Sequence, residues 1–408
     1  MKKYLFIALA AAGMLSSCSS DDTVANERTN GEELVPIKIG MGNVVTNVTR
    51  GTGSVGAAGA TTTNKWNGEL VQIYMFDQGT LDLAQNGGAA IYDDEEFQTP
   101  AGEDGSVTYA TATSGETKFY PASGNFDFFG YRTDGAETAA PALNAAGDAY
   151  TVPVAITGSE DVMAAQCDKA AAAAALDAAA GTTGTTKFFS AYSARKDVNP
   201  ELNFKHMLSR LTFQVKAGNA DAADATYPVQ ITAIRVYSKT TGELVFASTA
   251  NAFEPTINWD AADATTLTGY TKLELKENAD ADGDGNLDAL NIFSLAGTNV
   301  AWDPTVHAIG EALLVAPGDH TYRMEIAMKQ TKVTWSPAAD PTTGEEEINM
   351  DPYVTDITIP GAVDAVAEAG SSYNVQVIVY GLEEIKVKTI LAPWVDGGNV
   401  EIDPDANI

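Results

Sequence analysis

Short segments rich in β-branched and aromatic residues, cut apart by turn residues, recur along most of the chain, and this rhythm points to an all-β fold. Strands are expected over Leu70–Phe76, Phe126–Tyr131, Leu211–Lys216, Val229–Tyr237, Lys272–Lys276, Tyr322–Met328, Ile357–Ile359, Tyr373–Tyr380 and Ile385–Leu391. Many short strands with few helical stretches favour antiparallel sandwiches over a parallel sheet wrapped in helices. The exception is Asp161 to Ala180, Ala-rich and short of large apolar side chains, which is expected to form a small peripheral helical excursion. At 408 residues the chain exceeds the roughly 150 of a typical domain, so two tandem β-sandwich domains are expected. A charged, Pro-containing stretch from Arg195 to Pro200 divides them into 51–197 and 198–408.

The N-terminus carries an address. Lys2 and Lys3 precede an apolar stretch, Tyr4 to Met14, that is too short to span a bilayer, and together they read as an export signal over residues 1–17. Leu15-Ser16-Ser17-Cys18 resembles a bacterial lipobox, which implies cleavage before Cys18, acylation of that cysteine and an outer-membrane lipoprotein precursor held by its lipid anchor. Residues 18–50 then comprise a polar tether, Asp21 to Gly31, and a segment from Leu34 to Met41 that alternates. Ile37, Ile39 and Met41 fall on one side and Lys38 and Gly40 on the other, the period of a half-buried strand. Thr49-Arg50-Gly51 and a run of Gly, Ala and Thr through Thr63 follow, a stretch open to proteolysis.

With Cys18 acylated, Cys167 has no partner for an intramolecular disulfide, so stability must come from packing. Cys167 reads as a small side chain in an Ala-rich helix or loop, because His206, His307 and His320 form no recognisable motif with it. A net charge of −31 with only 24 Lys and Arg residues repels phosphate backbones, which excludes nucleic acid as a partner. The chain lacks G-x-S-x-G, H-E-x-x-H, P-loop and Rossmann signatures, and no enzymatic activity is expected. The sharpest chemical signal is Asp280, Asp282, Asp284, Asn286 and Asp288 around Gly285, which has the ligand spacing of an EF-hand loop. The twelfth position holds Asn291 where a bidentate Glu belongs, so the run is expected to hold calcium weakly or to be a solvated acidic turn, with no cofactor required.

Four separated pieces of sequence resemble one family. Phe204-Lys205-His206-Met207-Leu208-Ser209-Arg210-Leu211-Thr212-Phe213-Gln214-Val215 is similar to a segment of the fimbrillin superfamily, the type V pilins of Bacteroidales. Tyr120-Pro121 before Phe126–Tyr131, Lys65-Trp66 before Val71–Phe76, and Ile390 to Gly398 around Pro393-Trp394 resemble further pieces of it, in the same order. The resemblance implies transthyretin-like sandwiches, export as a lipoprotein and a cut after an arginine by an arginine-specific or trypsin-like surface protease. Arg50 and Gly51 stand where that cut is expected. Loss of the N-terminal strand would leave a groove for a strand of another copy or a related pilin, giving a cell-surface fimbrium that supports adhesion. The alternative is a non-polymerising surface lipoprotein that binds glycan or protein.

The segment 384–408 is a candidate donor strand. Ile385, Val387 and Leu391 face one way and Lys386 and Lys388 the other, with Trp394 as an anchor beyond them. The competing reading makes these residues the last strands of the chain's own second sandwich.

A calcium ion at Asp280–Asp288 would stabilise the fold by about 2.7 kcal/mol at a hundredfold excess over Kd. The melting temperature of the full chain is therefore expected to rise in millimolar calcium, with Asp282→Asn blunting the rise. A melting temperature indifferent to calcium eliminates the site.

Overall fold

A computed structural model describes residues 34–41, 66, 68–99, 108–168, 174, 189–224, 226–250, 253–277, 289–290, 293–295, 306–334, 344–349, 352–362, 364–380 and 385–392. The described chain is all-β apart from short helical turns such as Ala191–Ala194, where the Ser190 side chain accepts the Ser193 N–H as an N-cap. Among these residues no helix is long and apolar enough to cross a membrane.

The first part of the molecule is built on a six-stranded sheet ordered Lys205–His206, Met163–Gln166, Phe126–Arg132, Leu70–Asp77, Glu95–Gln98 and Thr111–Ala112. Its middle strands are apolar on both sides because both sides are covered. Val71, Ile73, Met75, Phe126 and Phe128 enter one core, while Tyr74, Phe76, Phe129 and Tyr131 enter another on the opposite face. A small sheet of Glu201–Leu202, Gly40–Met41 and Thr108–Tyr109 contributes to the first core. A four-stranded sheet, Thr256–Trp259, Thr241–Ser248, Ala149–Ala155 and Ala142–Leu143, covers the second.

This double cover corrects the helical expectation at its start. Met163–Gln166 is a strand, with Met163 and Ala165 in one core and Val162 and Ala164 in the other. Small side chains fit where a strand is pressed from both sides, so alanine here reports close layers and not helix propensity. The remainder of 161–180 lies largely outside the described residues.

The second part packs two sheets on one core. One contains His307–Ala308, Ser209–Ala217, Ser372–Val379 and Ile385–Ala392; the other contains Thr271–Glu274, Gln230–Ser238, Thr321–Thr334 and Gly344–Asn349. Most pairings are antiparallel, but Ser209–Ala217 runs parallel to Ser372–Val379 from Arg210↔Ser372 to Ala217↔Val379. A parallel pair needs a long crossover, and the chain supplies one by building most of the second sandwich between the two strands.

The expected division at 197/198 is crossed by the chain. Gln230–Ser238 belongs to the second part, whereas Thr241–Ser248 pairs with Ala149–Ala155 in the first. Ile156 N donates to Thr240 O at 2.8 Å, and Leu314 N to Gly158 O at 2.7 Å. At the same joint the His206 Nδ1 lies 2.7 Å from Asp161 Oδ1, both side chains buried. Arg210 is also buried there; desolvation pushes its pKa down while Glu311 and Asp161 oppose the shift.

Gly130 sits in the central sheet where neighbouring atoms leave no room for a side chain. A Cβ there would come within 2.9 Å of Phe204 Cζ and 3.2 Å of the Gln72 carbonyl oxygen. Gly130→Ala is expected to cost about 1–3 kcal/mol through overpacking, read as a lower urea midpoint at unchanged slope.

Candidate functional site: a terminal strand in its slot

The segment Leu34–Met41 lies in the core it was expected to join, and its alternation governs how. Val35, Ile37, Ile39 and Met41 are buried, the last two at 1% exposure, and all four belong to the first core. Pro36 and Lys38 are half-buried.

Backbone bonds clamp the segment from both sides. Tyr120 N donates to Val35 O at 2.9 Å, Ile37 N to Lys118 O at 2.9 Å, and Ala110 N to Ile39 O at 3.0 Å, which sets an antiparallel edge along 108–120. On the other edge Gly40 N donates to Pro200 O at 2.9 Å, and Gly40 and Met41 run parallel to Glu201 and Leu202. The result is a slot with two different walls, one antiparallel and one parallel to its occupant.

Ring packing lines the core beneath. Trp66 meets Phe204 edge-on at 5.3 Å, and Tyr120 lies 6.0 Å from Phe126 and 6.3 Å from Phe128. Burial pushes the Tyr120 hydroxyl pKa well above its usual range, so the group is neutral and contributes no charge to the slot. Two lysines stand at the outer rim, Lys38 on the bound strand and Lys118 on the wall. Lys38 Nζ stands 5.8 Å from the centre of the Tyr109 ring, and Lys118 Nζ donates to Ile91 O and to Glu95 Oε2, both at 2.6 Å.

The other sequence-derived site residues fall in two groups. Cys18, Arg50, Gly51, Asp280, Asp282, Asp284, Asn286, Asp288 and Trp394 lie outside the described residues. Among the described residues no group of three or more His, Cys, Asp or Glu side chains is placed to hold a metal ion. The expected donor strand, by contrast, is a strand of the chain's own second sandwich. Ile385–Ala392 pairs antiparallel with Ser372–Val379, with Val379↔Ile385, Val377↔Val387 and Tyr373↔Leu391 in register. Ile385 is in the second sandwich's core and Val387 packs against it, because the alternation that would suit a groove suits this sheet equally well.

Sequence reasoning missed both walls of the slot. Thr108–Tyr109 and Glu201–Leu202 are strands of two residues each, too short to show a period. Cys167 is a buried member of the same core, where desolvation pushes its thiol pKa well up.

Ile39→Ala is expected to destabilise the uncleaved chain by about 2–5 kcal/mol, the cost of a large-to-small change in a closed core. In a chain from which residues up to Arg50 have been removed, no such penalty can arise. Denaturant unfolding of precursor forms with and without the substitution measures it.

Several solved structures are similar to this chain at low identity. A structure from Bacteroides uniformis described as a candidate cell adhesion protein is 15% identical, covers 90% of this chain and 99% of its own, and superposes with a TM-score of 0.41. The fimbrial anchor protein Mfa2 of Porphyromonas gingivalis is 9% identical over 87% of this chain and 98% of its own, with a TM-score of 0.34. The tip fimbrial protein Mfa3 of the same organism is 10% identical over 88% and 100%, with a TM-score of 0.32. No curated protein matches the sequence. The sequence profile of the fimbrillin-like family matches residues 59–394, nearly everything from the far side of Arg50 to Trp394, and the chain belongs to that family.

Proposed function

We propose that this protein is a structural, non-enzymatic fimbrial subunit that polymerises at the cell surface by strand exchange after proteolysis at Arg50-Gly51. The observation that carries the reading is the burial of Val35, Ile37, Ile39 and Met41 in the first core. Burying side chains of this size is worth ~1.5–3 kcal/mol each, a gross gain on the order of 10 kcal/mol. A whole domain is stable by only about 5–15 kcal/mol, so a slot vacated in water demands a replacement. While the resident strand stays tethered, its effective concentration outcompetes any strand from another subunit. Cleavage between Met41 and Trp66 removes that advantage, and with it the lipid on Cys18 that holds the precursor at the outer membrane.

The occupant that replaces it is the C-terminal strand of a neighbouring copy or related pilin. Ile385–Ala392 is at the end of its sheet, with Ser372–Val379 as its ladder partner. A strand with one ladder leaves at lower cost than one hydrogen-bonded on both edges, and its alternating apolar face matches what the slot loses.

The Arg50→Ala chain is expected to fold and to reach the surface but to form no polymers, while wild-type surface protein begins at Gly51. Abundant polymers from the substituted chain, or surface protein that retains Cys18, overturns the reading in favour of an anchored lipoprotein. Asn374 and Ile390 are partners in the backbone register of the last two strands. Cysteines at both positions are expected to block polymerisation when oxidised and to restore it when reduced; polymers of normal length under oxidation refute the donor assignment.

A further inference from the structure

A cleft of about 670 Å³ opens at one end of the first sandwich, beside the start of Phe126–Arg132 and the ends of Met163–Gln166 and Thr241–Ser248. That volume is in the range of small-ligand sites, about 300–1,000 Å³. Its lining is polar in a particular way. Gln166, Asn203 and Thr249 present side chains that make no hydrogen bond within the protein, so two amides and a hydroxyl face the cleft ready to pair. Asp127, 4% exposed, lines it as well, and its Oδ2 is fixed by the Gly79 N–H at 3.0 Å. Phe253 adds a half-buried ring, braced against Phe129 at 6.2 Å between centroids.

The chemistry of these walls selects a ligand class. Amides and hydroxyls each donate and accept, which is the pattern that matches neighbouring hydroxyl groups. The ring offers an apolar face to a ligand that is polar at its rim. Anions are disfavoured by the described lining residues, among which Asp127, Asp168 and Glu254 are acidic and the one lysine, Lys205, is ion-paired with Glu254. Calcium needs six to eight oxygens, and the described residues offer no cluster of three His, Cys, Asp or Glu side chains placed to hold a metal ion. Cys167 also lines the cleft, but burial raises its thiol pKa, so the site is built to bind and not to react.

We propose that this cleft is a binding site for a neutral sugar or the neutral end of a short glycan. None of its residues lies in the Leu34–Met41 segment, so the assignment does not rest on strand exchange. The test is saturation-transfer NMR on the full chain with methyl α-mannoside, methyl β-galactoside and N-acetylglucosamine, each at millimolar concentration. At least one is expected to show transfer. Asn203→Ala, an exposed position, and Phe253→Ala are each expected to weaken binding about tenfold, as loss of roughly 1.4 kcal/mol predicts. Tyr192→Ala, on the exposed face of the Ala191–Ala194 helix, leaves it unchanged. Absence of transfer from all three sugars, or transfer that survives both cleft substitutions, overturns the proposal. Fimbriae that still assemble from the Asn203→Ala chain show that this site and strand exchange are separate properties.

Discussion

One stretch of chain, 204–215, ties the molecule together. Phe204 packs in the first core, Met207 and Leu208 in the second, and Leu211, Phe213 and Val215 in the core of the second sandwich. Within a strand a slip of one residue turns every side chain to the wrong face, so three cores filled from one segment hold each other in register. The buried polar groups along it reinforce the point. His206 with Asp161, Ser209 Oγ donating to Glu368 O at 2.8 Å, and the buried Arg210 leave that segment few alternative settings. Groups of this kind contribute little net stability but penalise wrong arrangements.

The central sheet makes a cover such as the N-terminal segment necessary. Its strands are apolar on both faces, so each face needs a cover. The face beneath Val35–Met41 is covered partly by strands of only two residues, held by a handful of backbone bonds. Affinity for the cover therefore comes from side-chain burial, which any chain with the same alternation can supply. Selectivity for an occupant would rest on the walls, one antiparallel and one parallel.

Much of this was legible in the sequence, for physical reasons that can be named. The 70–77, 126–132 and 372–379 strands were expected because their apolar residues are β-branched or aromatic and are bounded by turn residues. Leu34–Met41 was visible because its period of two is unbroken. The third sheet was missed: Pro153 interrupts the apolar run of Ala149–Ala155, and Gly242 and Glu243 dilute Thr241–Ser248. The helical reading of 161–166 failed because alanine serves helix propensity and close layer packing alike, and one sequence does not distinguish them. The role of Ile385–Ala392 was ambiguous for a related reason, since an alternating strand fits its own sheet as well as a foreign groove. The sugar cleft carried no signal, because Asp127, Gln166, Asn203 and Phe253 meet only through the fold.

The parallel pairing of Ser209–Ala217 with Ser372–Val379 has a consequence in time. Its partners are separated by some of the longest loops the chain must close, so the second sandwich cannot complete its sheet until nearly the whole polypeptide is available. The first part is delayed too, since Ala149–Ala155 waits for Thr241–Ser248. A protein with this order of contacts folds late and slowly, and its apolar strands need protection until those pairings close.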